Sequence, residues 1–310
     1  MKRTSAFLRL SALAVCLILI ISQLGSCFEP EKPSAGNGPS VDEGELPDHS
    51  GGAAYVVVNG NIPYFEADDI VYESYEYYSE LDGLGRCGVA VACIGTDIMP
   101  TEDREGSLTV TPSGWEYKGK SNNNTYSFVD GGFIYNRCHL IGYQLTGENS
   151  NEKNLITGTR YLNIKGMLPF ENLVKGFIVD TEMHVMYRVT PIFEGNDYVA
   201  KGVLMEGYSV EDDGEGICFC IFAYNIQPGV IIDYYTGENW ADPEYNEGSE
   251  ETVSAVYVLN ISTKKYHLPT CTYAKSMSSD NRFNYTGKPA DFKTLYPDYL
   301  PCGSCNPDQK

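Results

Sequence analysis

Positive charge is scarce in this chain: 22 lysines and arginines stand against 42 aspartates and glutamates, for a formal net charge of −20. That balance excludes a protein that coats nucleic acid through a broad basic surface, because such binding draws its affinity from cations that displace counterions. Much of the acid lies near the N-terminus, in Asp68 to Asp82 and in Glu238 to Glu251, whereas Lys153, Arg160, Lys165, Lys175, Arg188 and Lys201 fall in the middle. A local basic cleft remains compatible with the total, and a bound metal would add to it. Histidine is rarer still, at 4 in 310 residues, so imidazole chemistry has few places to sit. There is no GxGxxG, no P-loop lysine motif, no GxSxG elbow and no tandem repeat, which removes the usual support for nucleotide-cofactor and serine-hydrolase readings. The apolar run from Leu10 to Ile21 is short of the roughly 20 residues a spanning helix needs.

That short run is instead the hydrophobic part of a secretory signal, with Lys2, Arg3 and Arg9 ahead of it. Leu24-Gly25-Ser26-Cys27 follows directly and resembles a bacterial lipobox, in which the cysteine is acylated after cleavage. The expectation is an exported, cell-surface lipoprotein anchored to the membrane through Cys27, or a secreted protein if the anchor is not used. Residues 28–52 are Pro, Gly, Ser, Asp and Glu with almost nothing to bury, and read as a flexible acidic tether. Of the 10 cysteines, Cys16 leaves with the signal and Cys27 is the lipid site. The rest would ordinarily suggest disulfides in an exported chain, but the pairing of Cys87, Cys93, Cys138, Cys218 and Cys220 stays open.

From Tyr55 to Trp240, short apolar, aromatic and β-branched runs are punctuated by Gly, Asn and Asp, which is strand and turn chemistry. Strands are expected over Gly88 to Ile94, Met186 to Phe193, Val203 to Val210 and Ile217 to Asn225, with Asp212-Asp213-Gly214 turning the last two into a hairpin. Phe170, Leu173, Val174, Phe177 and Ile178 recur at helical spacing up to Thr181, and Pro169 suits the first turn of that helix. An acidic stretch after Trp240 precedes a fresh start at Val256-Tyr257-Val258-Leu259-Asn260, so the domains expected are residues 53–240, a linker at 241–255 and a small module at 256–310. For Arg188 the reading is a strand arginine pairing with a carboxylate and solvated.

The informative block runs Tyr135-Asn136-Arg137-Cys138-His139-Leu140 and continues through Asn154 to Arg160-Tyr161-Leu162-Asn163. Hydrolysing a phosphodiester requires deprotonating water, neutralising charge at phosphorus and stabilising the departing 3′ oxygen, which one neutral imidazole and one divalent cation can cover. His49 lies in the tether, His184 precedes a strand and His267 has another use, leaving His139 as the candidate base. Taken alone, such a histidine is more often a hydrogen-bonded structural residue, and an asparagine such as Asn163 is common in loops.

This block resembles the active-site motif of the DNA/RNA non-specific endonucleases, the ββα-metal nucleases that include secreted streptococcal DNases. The likeness spans about Tyr78 to Trp240, including Leu84-Gly85-Arg86-Cys87-Gly88, Met186-Tyr187-Arg188-Val189-Thr190-Pro191 and Tyr224-Asn225-Ile226-Gln227-Pro228-Gly229. It implies an α+β, ββα-metal fold around a central antiparallel sheet, and an endonuclease tolerant of sequence that leaves 5′-phosphate ends on DNA and RNA. The family motif Asp-Arg-Gly-His falls on Asn136-Arg137-Cys138-His139. The resemblance makes His139 the general base, Asn163 the ligand of a catalytic Mg2+ (or Mn2+), Asn154 a support of the active-site loop and Glu171 a holder of the hydrated metal. Arg137 and Arg160 become phosphate contacts. Glu171 also reads as a first-turn residue favoured by the helix dipole. Two departures stand out: Asn136 loses a carboxylate, and Cys138 replaces a glycine, which raises the question of a positive φ.

His267-Leu-Pro-Thr-Cys271 and Cys302-Gly-Ser-Cys305 give four soft or borderline ligands in two pairs. The spacing suits a tetrahedral structural Zn2+ stapling a module too small to build a sufficient core; a disulfide among these cysteines is the rival. The surrounding Tyr257 strand, Pro269 and Tyr285-Thr286-Gly287 resemble the small metal-binding module of Ada-type proteins. Alternatives for the whole chain are a surface nucleic-acid-binding or adhesion lipoprotein with a decayed site, and a phosphodiesterase of small nucleotides. No protein partner is expected.

Overall fold

The computed structural model describes residues 46, 47, 49, 53–104, 106–245, 257–260, 262–278, 281–285, 292, 293, 296 and 299–309. The export signal, the lipobox with Cys27 and most of the tether and of the 241–255 linker lie outside the described residues. Among the described residues no helix is long and apolar enough to cross a membrane.

In chain order the strands of the larger part are β1 (Tyr55–Val57), β2 (Tyr75–Tyr78), β3 (Ala90–Ile94), β4 (Glu116–Tyr117), β5 (Lys120–Ser121), β6 (Tyr135–His139), β7 (Leu155–Thr159), β8 (Val185–Ile192), β9 (Gly202–Ser209), β10 (Cys218–Tyr224), β11 (Val230–Ile232) and β12 (Asn239–Ala241). Helix α1 covers Tyr143–Thr146 and α2 covers Leu168–Thr181. Six strands form the central sheet in the order β1-β10-β9-β8-β3-β2, antiparallel throughout. The strands expected from alternation are β3, β8, β9 and β10, within about two residues at each end. The reversal between β9 and β10 places Asp213 at φ 54° and Gly214 at φ 81°, the backbone that Asp and Gly tolerate in tight turns.

Side chains alternate across a pleat, and here both faces are buried. Ala90, Ala92 and Ile94, with Val185, Tyr187 and Val189, face one way and pack against Phe170, Val174, Phe177 and Ile178 of α2. Val91, Cys93 and Met186 face the other way, under Phe65, Ile70, Val71 and Tyr75 from the N-terminal segment. Arg188 lies on this second face. It pairs with a carboxylate as expected, but it is 1% exposed rather than solvated. Its Nε and Nη2 donate to Glu206 at 2.7 and 2.9 Å, directly across from it in the β8–β9 register. A guanidinium is tolerated at such depth only when paired and hydrogen-bonded, and removing Glu206 alone would strand it.

The C-terminal part adds β13 (Tyr257–Asn260), β14 (Lys265–His267), α3 (Thr272–Lys275), β15 (Arg282–Tyr285) and β16 (Leu300–Pro301). Its sheet runs β15-β13-β14-β16, the last pair parallel. Its apolar side is not self-contained: Leu259, Tyr266, Phe283, Tyr285, Phe292, Tyr296 and Tyr299 belong to the same buried cluster as Phe170 and Phe219. Ser34–Lys310 forms one compact unit.

Candidate active site

Strands β6 and β7 form a separate antiparallel hairpin outside the central sheet, and the chain passes from β7 through one irregular turn into α2. Two strands followed by a helix thus carry the residues singled out by sequence. His139 closes β6 opposite Leu155 and is 9% exposed. Its Nε2 lies 2.8 Å from the Asn149 carbonyl. A carbonyl can only accept, so Nε2 carries the proton of the neutral ring and the lone pair falls on Nδ1. Burial holds the imidazole below its ordinary value against that hydrogen bond, and the positive charge of Arg104 acts in the same direction as burial. Burial thus favours the neutral ring, and the Asn149 carbonyl favours the tautomer protonated at Nε2.

The loop after His139 is clamped by Asn154, which is fully buried. The Asn154 carbonyl accepts from Leu140 N, its Oδ1 accepts from Ile141 N at 2.9 Å, and its Nδ2 donates to Ile141 O at 3.0 Å. That amide replaces two backbone partners which a third strand would have supplied. Gly142 follows, and a Cβ built there would meet Glu171 Oε2, Cδ and Oε1 at 2.7, 2.8 and 2.9 Å. The Glu171 carboxyl lies against this bare backbone, and burial pushes it up to about 7, opposed by the Gln144 side chain. Its two expected roles are compatible: Glu171 sits in the first turn of α2, with Pro169 beside it, and still reaches the loop that carries His139.

Asn163 lies in a π-helical turn, Leu162–Met167, where the Leu168 amide donates back to the Asn163 carbonyl. Single π turns inside helices concentrate at functional sites. The turn is splinted from a distance. Asn225 Oδ1 accepts from Thr159 N at 2.8 Å, Gln227 Oε1 accepts from Tyr161 N at 3.1 Å, and Thr159 Oγ1 accepts from Leu162 N at 2.9 Å. Asn163 is half-buried, and among the described residues its side chain has no hydrogen-bond partner. An amide oxygen such as that of Asn163 and a carboxylate such as that of Glu171 are the hard donors that magnesium prefers.

Both departures from the family motif are accommodated. Cys138 is an ordinary strand residue opposite Ile156, outside the positive-φ positions, so the expected glycine geometry is not needed. Its Sγ occupies the space a Cβ on Gly158 would take, 2.4 Å away. Burial pushes this thiol up, and the neighbouring Glu171 adds to the effect, which keeps it protonated. Asn136 is half-buried opposite Gly158 on the same strand.

The arginines are held differently. Arg137 Nε donates to the Val110 carbonyl and its guanidinium stacks 4.2 Å from the Trp115 ring centre. Arg160 Nη2 pairs with Asp130 at 3.0 Å, while its Nε is buried without a partner. Arg104, which sequence reasoning missed, is exposed in the segment that Tyr143 ties down through the Glu102 carbonyl at 3.3 Å. Asn225 and Gln227 were noted only within a run of resemblance, and nothing in their spacing tells that they reach back over 66 residues to β7 and Tyr161.

At the other end, His267, Cys271, Cys302 and Cys305 bring one ligand atom each to within 4.8 Å of one another. Cys271 Sγ and His267 Nδ1 are 3.5 Å apart, close to the ~3.6 Å edge of a tetrahedron built on ordinary zinc–sulfur and zinc–nitrogen bonds. His267 Nε2 is buried without a partner. All eight described cysteines are free.

Residues 68–211 match the family described as DNA/RNA non-specific endonuclease. Among solved structures, the chain is similar to the Sda1 nuclease with bound zinc ion at 26% identity and a TM-score of 0.54, covering 61% of this chain and 97% of that one. It is similar to NucA from Streptococcus agalactiae with no metal bound at 25% identity and a TM-score of 0.54, covering 64% and 92%. NucA from the same organism with magnesium ion bound gives 26% identity and a TM-score of 0.52, covering 60% and 86%. No curated protein matches. With an antiparallel sheet, a hairpin carrying His139 and a helix carrying Glu171, residues 68–211 form a DNA/RNA non-specific endonuclease domain, and the chain is an enzyme of the metal-dependent nuclease class.

Proposed function

We propose that the protein cleaves DNA and RNA endonucleolytically, without sequence preference, using His139 as general base. The observation that carries this reading is the Nε2 hydrogen bond to Asn149, which leaves Nδ1 as the only basic atom of a neutral ring. Nδ1 takes a proton from water, the water oxygen bonds to phosphorus as the P–O3′ bond breaks, and the departing 3′ oxygen takes a proton from solvent, leaving 5′-phosphate and 3′-hydroxyl ends, while His139 later returns its proton to solvent. Asn163 and Glu171 are the residues that would hold Mg2+ or Mn2+. The chemistry such a cation supplies is charge neutralisation at the phosphate and stabilisation of the departing oxygen. Asn154 keeps His139 in register with α2. Arg160 and Arg104 bind phosphate, and the other nitrogens of Arg137 contribute from beside Trp115. This handful of local cations reconciles a nuclease with a net charge of −20.

The same reading takes the four-residue cluster as a structural Zn2+ site: three thiols and an imidazole fill a tetrahedron and leave no position for water. Export through the N-terminal signal and anchorage at Cys27 complete it, placing the enzyme at the bacterial cell surface.

The test is supercoiled plasmid incubated with the purified protein and magnesium, beside His139→Ala, Asn163→Ala and an EDTA control. Nicking that needs metal, and that falls about 10²- to 10⁴-fold in His139→Ala, is the expected result. Equal cleavage by His139→Ala would remove the proposed mechanism.

A further inference from the structure

Glu171 sits in the first turn of α2, which continues the π turn without a break: Met167 and Leu168 both keep helical backbone, and the Leu168 amide donates to the Asn163 carbonyl. What seats this turn against the sheet is Phe170, fully buried and next to Glu171 in the chain. Three aromatic rings hold Phe170. Tyr55 of β1 meets it edge-on at 4.8 Å between ring centres, and Phe219 of β10 lies at 4.9 Å. The third is Phe283 of β15, at 6.5 Å and 65°, which belongs to the C-terminal module. Phe283 is in turn backed by Tyr296 at 5.6 Å. The seam between the two parts retains a cavity of about 50 Å³ bordered by Phe170, Leu173, Ile217, Phe219, Tyr296 and Tyr299. Two of the three supports come from the nuclease sheet, and the third only from the module.

We propose that Phe283 and Tyr296 are positioning residues for Glu171, acting through Phe170, so that the C-terminal module braces the nuclease site rather than serving only as an appended binding unit. The inference rests on the reading of Glu171 as a holder of hydrated magnesium. Its consequence is specific. Loosening Phe170 lets the Glu171 carboxylate drift from Gly142, which weakens magnesium binding without touching the residues that contact phosphate. A carboxylate misplaced by an ångström still binds water, but no longer where the cation's hydration shell needs it.

The experiment measures, for the full chain, the magnesium concentration that half-saturates plasmid nicking and the KM for DNA at saturating magnesium. It also follows amide hydrogen exchange over residues 162–176. The variants are Phe283→Leu, Phe283→Ala, Tyr296→Leu and, as a control on the exposed side of the module, Tyr273→Ala. Expected are half-saturating concentrations raised about two- to thirtyfold in Phe283→Ala and Tyr296→Leu, an intermediate shift in Phe283→Leu, and an unchanged KM for DNA. Exchange should quicken in the first turn of α2, and Tyr273→Ala should behave as wild type. A folded Phe283→Ala with wild-type magnesium dependence and wild-type exchange overturns the brace, as does an equal effect in Tyr273→Ala. If Phe283→Ala does not fold, Phe283→Leu decides by the same criteria. A wild type that fails to nick would instead overturn the nuclease reading, and the exchange data alone then decide whether the module braces the helix.

Discussion

The two candidate metal regions of this chain are built on opposite plans. At the C-terminus four side chains converge, with every ligand atom within 4.8 Å of the others and three of the four residues buried. In the nuclease domain the two candidate holders, Asn163 and Glu171, sit on a π turn and on the helix that follows it, and among the described residues no cluster of three or more His, Cys, Asp or Glu ligand atoms includes Glu171. A filled tetrahedron holds a metal and contributes folding energy, but offers nothing to substrate. A site with few protein ligands binds its cation weakly, yet leaves room for water and phosphate oxygens, which hydrolysis needs. Burial without a counter-charge also pushes the Glu171 carboxyl up to about 7, and a bound cation would favour its ionised form.

The strongest break of this comparison is Cys302→Ser. If the cluster is a closed structural site, losing one thiolate should abolish the one bound zinc per chain and cost on the order of 5 kcal/mol, a fall of about 10 °C or more in melting temperature. Metal analysis and thermal unfolding check this together. A variant that melts as the wild type does would show that the cluster is not what holds the module.

Glu171→Gln should move stability the other way. The native carboxyl stands at about 7, above the value of roughly 4.3 for an unfolded glutamate, so between those values the folded state binds more protons. Stability contributed by the protonated group is therefore present below that window and lost as pH rises through it. In magnesium-free buffer at pH 8, Glu171→Gln should stabilise the protein by up to about 3 kcal/mol, with the gain fading towards pH 5. Magnesium-dependent cleavage should fall in the same variant. Denaturant unfolding at both pH values checks the sign, and equal stabilisation at pH 5 and 8 would show that the buried charge is not its source.

Much of this arrangement was legible beforehand, for reasons that separate local from distant structure. β3, β8, β9 and β10 and helix α2 announce themselves through side-chain period, and the chemistry of His139, Asn154, Asn163 and Glu171 was carried by one block of resemblance. The π turn under Asn163 has no period to read. The splints from Asn225 and Gln227 cross from beyond β10, and the room for Cys138 comes from Gly158 on the neighbouring strand. Arg188 was read as solvated because the partner that permits its burial, Glu206, becomes its neighbour only through strand register. That the aromatic side of the module's sheet packs into the same cluster as α2 shows only in the three-dimensional contacts, not in its own sequence.

The smallest change tests the closest contact. Gly142→Ala adds one methyl group in a loop where the added carbon would fall 2.7 to 2.9 Å from the Glu171 carboxyl atoms. Either that carboxyl swings away, or the loop shifts and carries His139 with it. The expected loss in magnesium-dependent cleavage is about 10- to 100-fold, the range seen when the surroundings of a metal ligand are disturbed. A double-mutant cycle separates the two routes, because residues in contact are not additive. In a Glu171→Ala background the methyl group meets an empty space. If Gly142→Ala then costs almost nothing, its whole effect passes through the carboxyl and the open site is as loosely held as its ligand set suggests. If the cost persists, the backbone between His139 and α1 is the rigid element, and the catalytic region owes its precision to the Asn154 clamp rather than to Glu171.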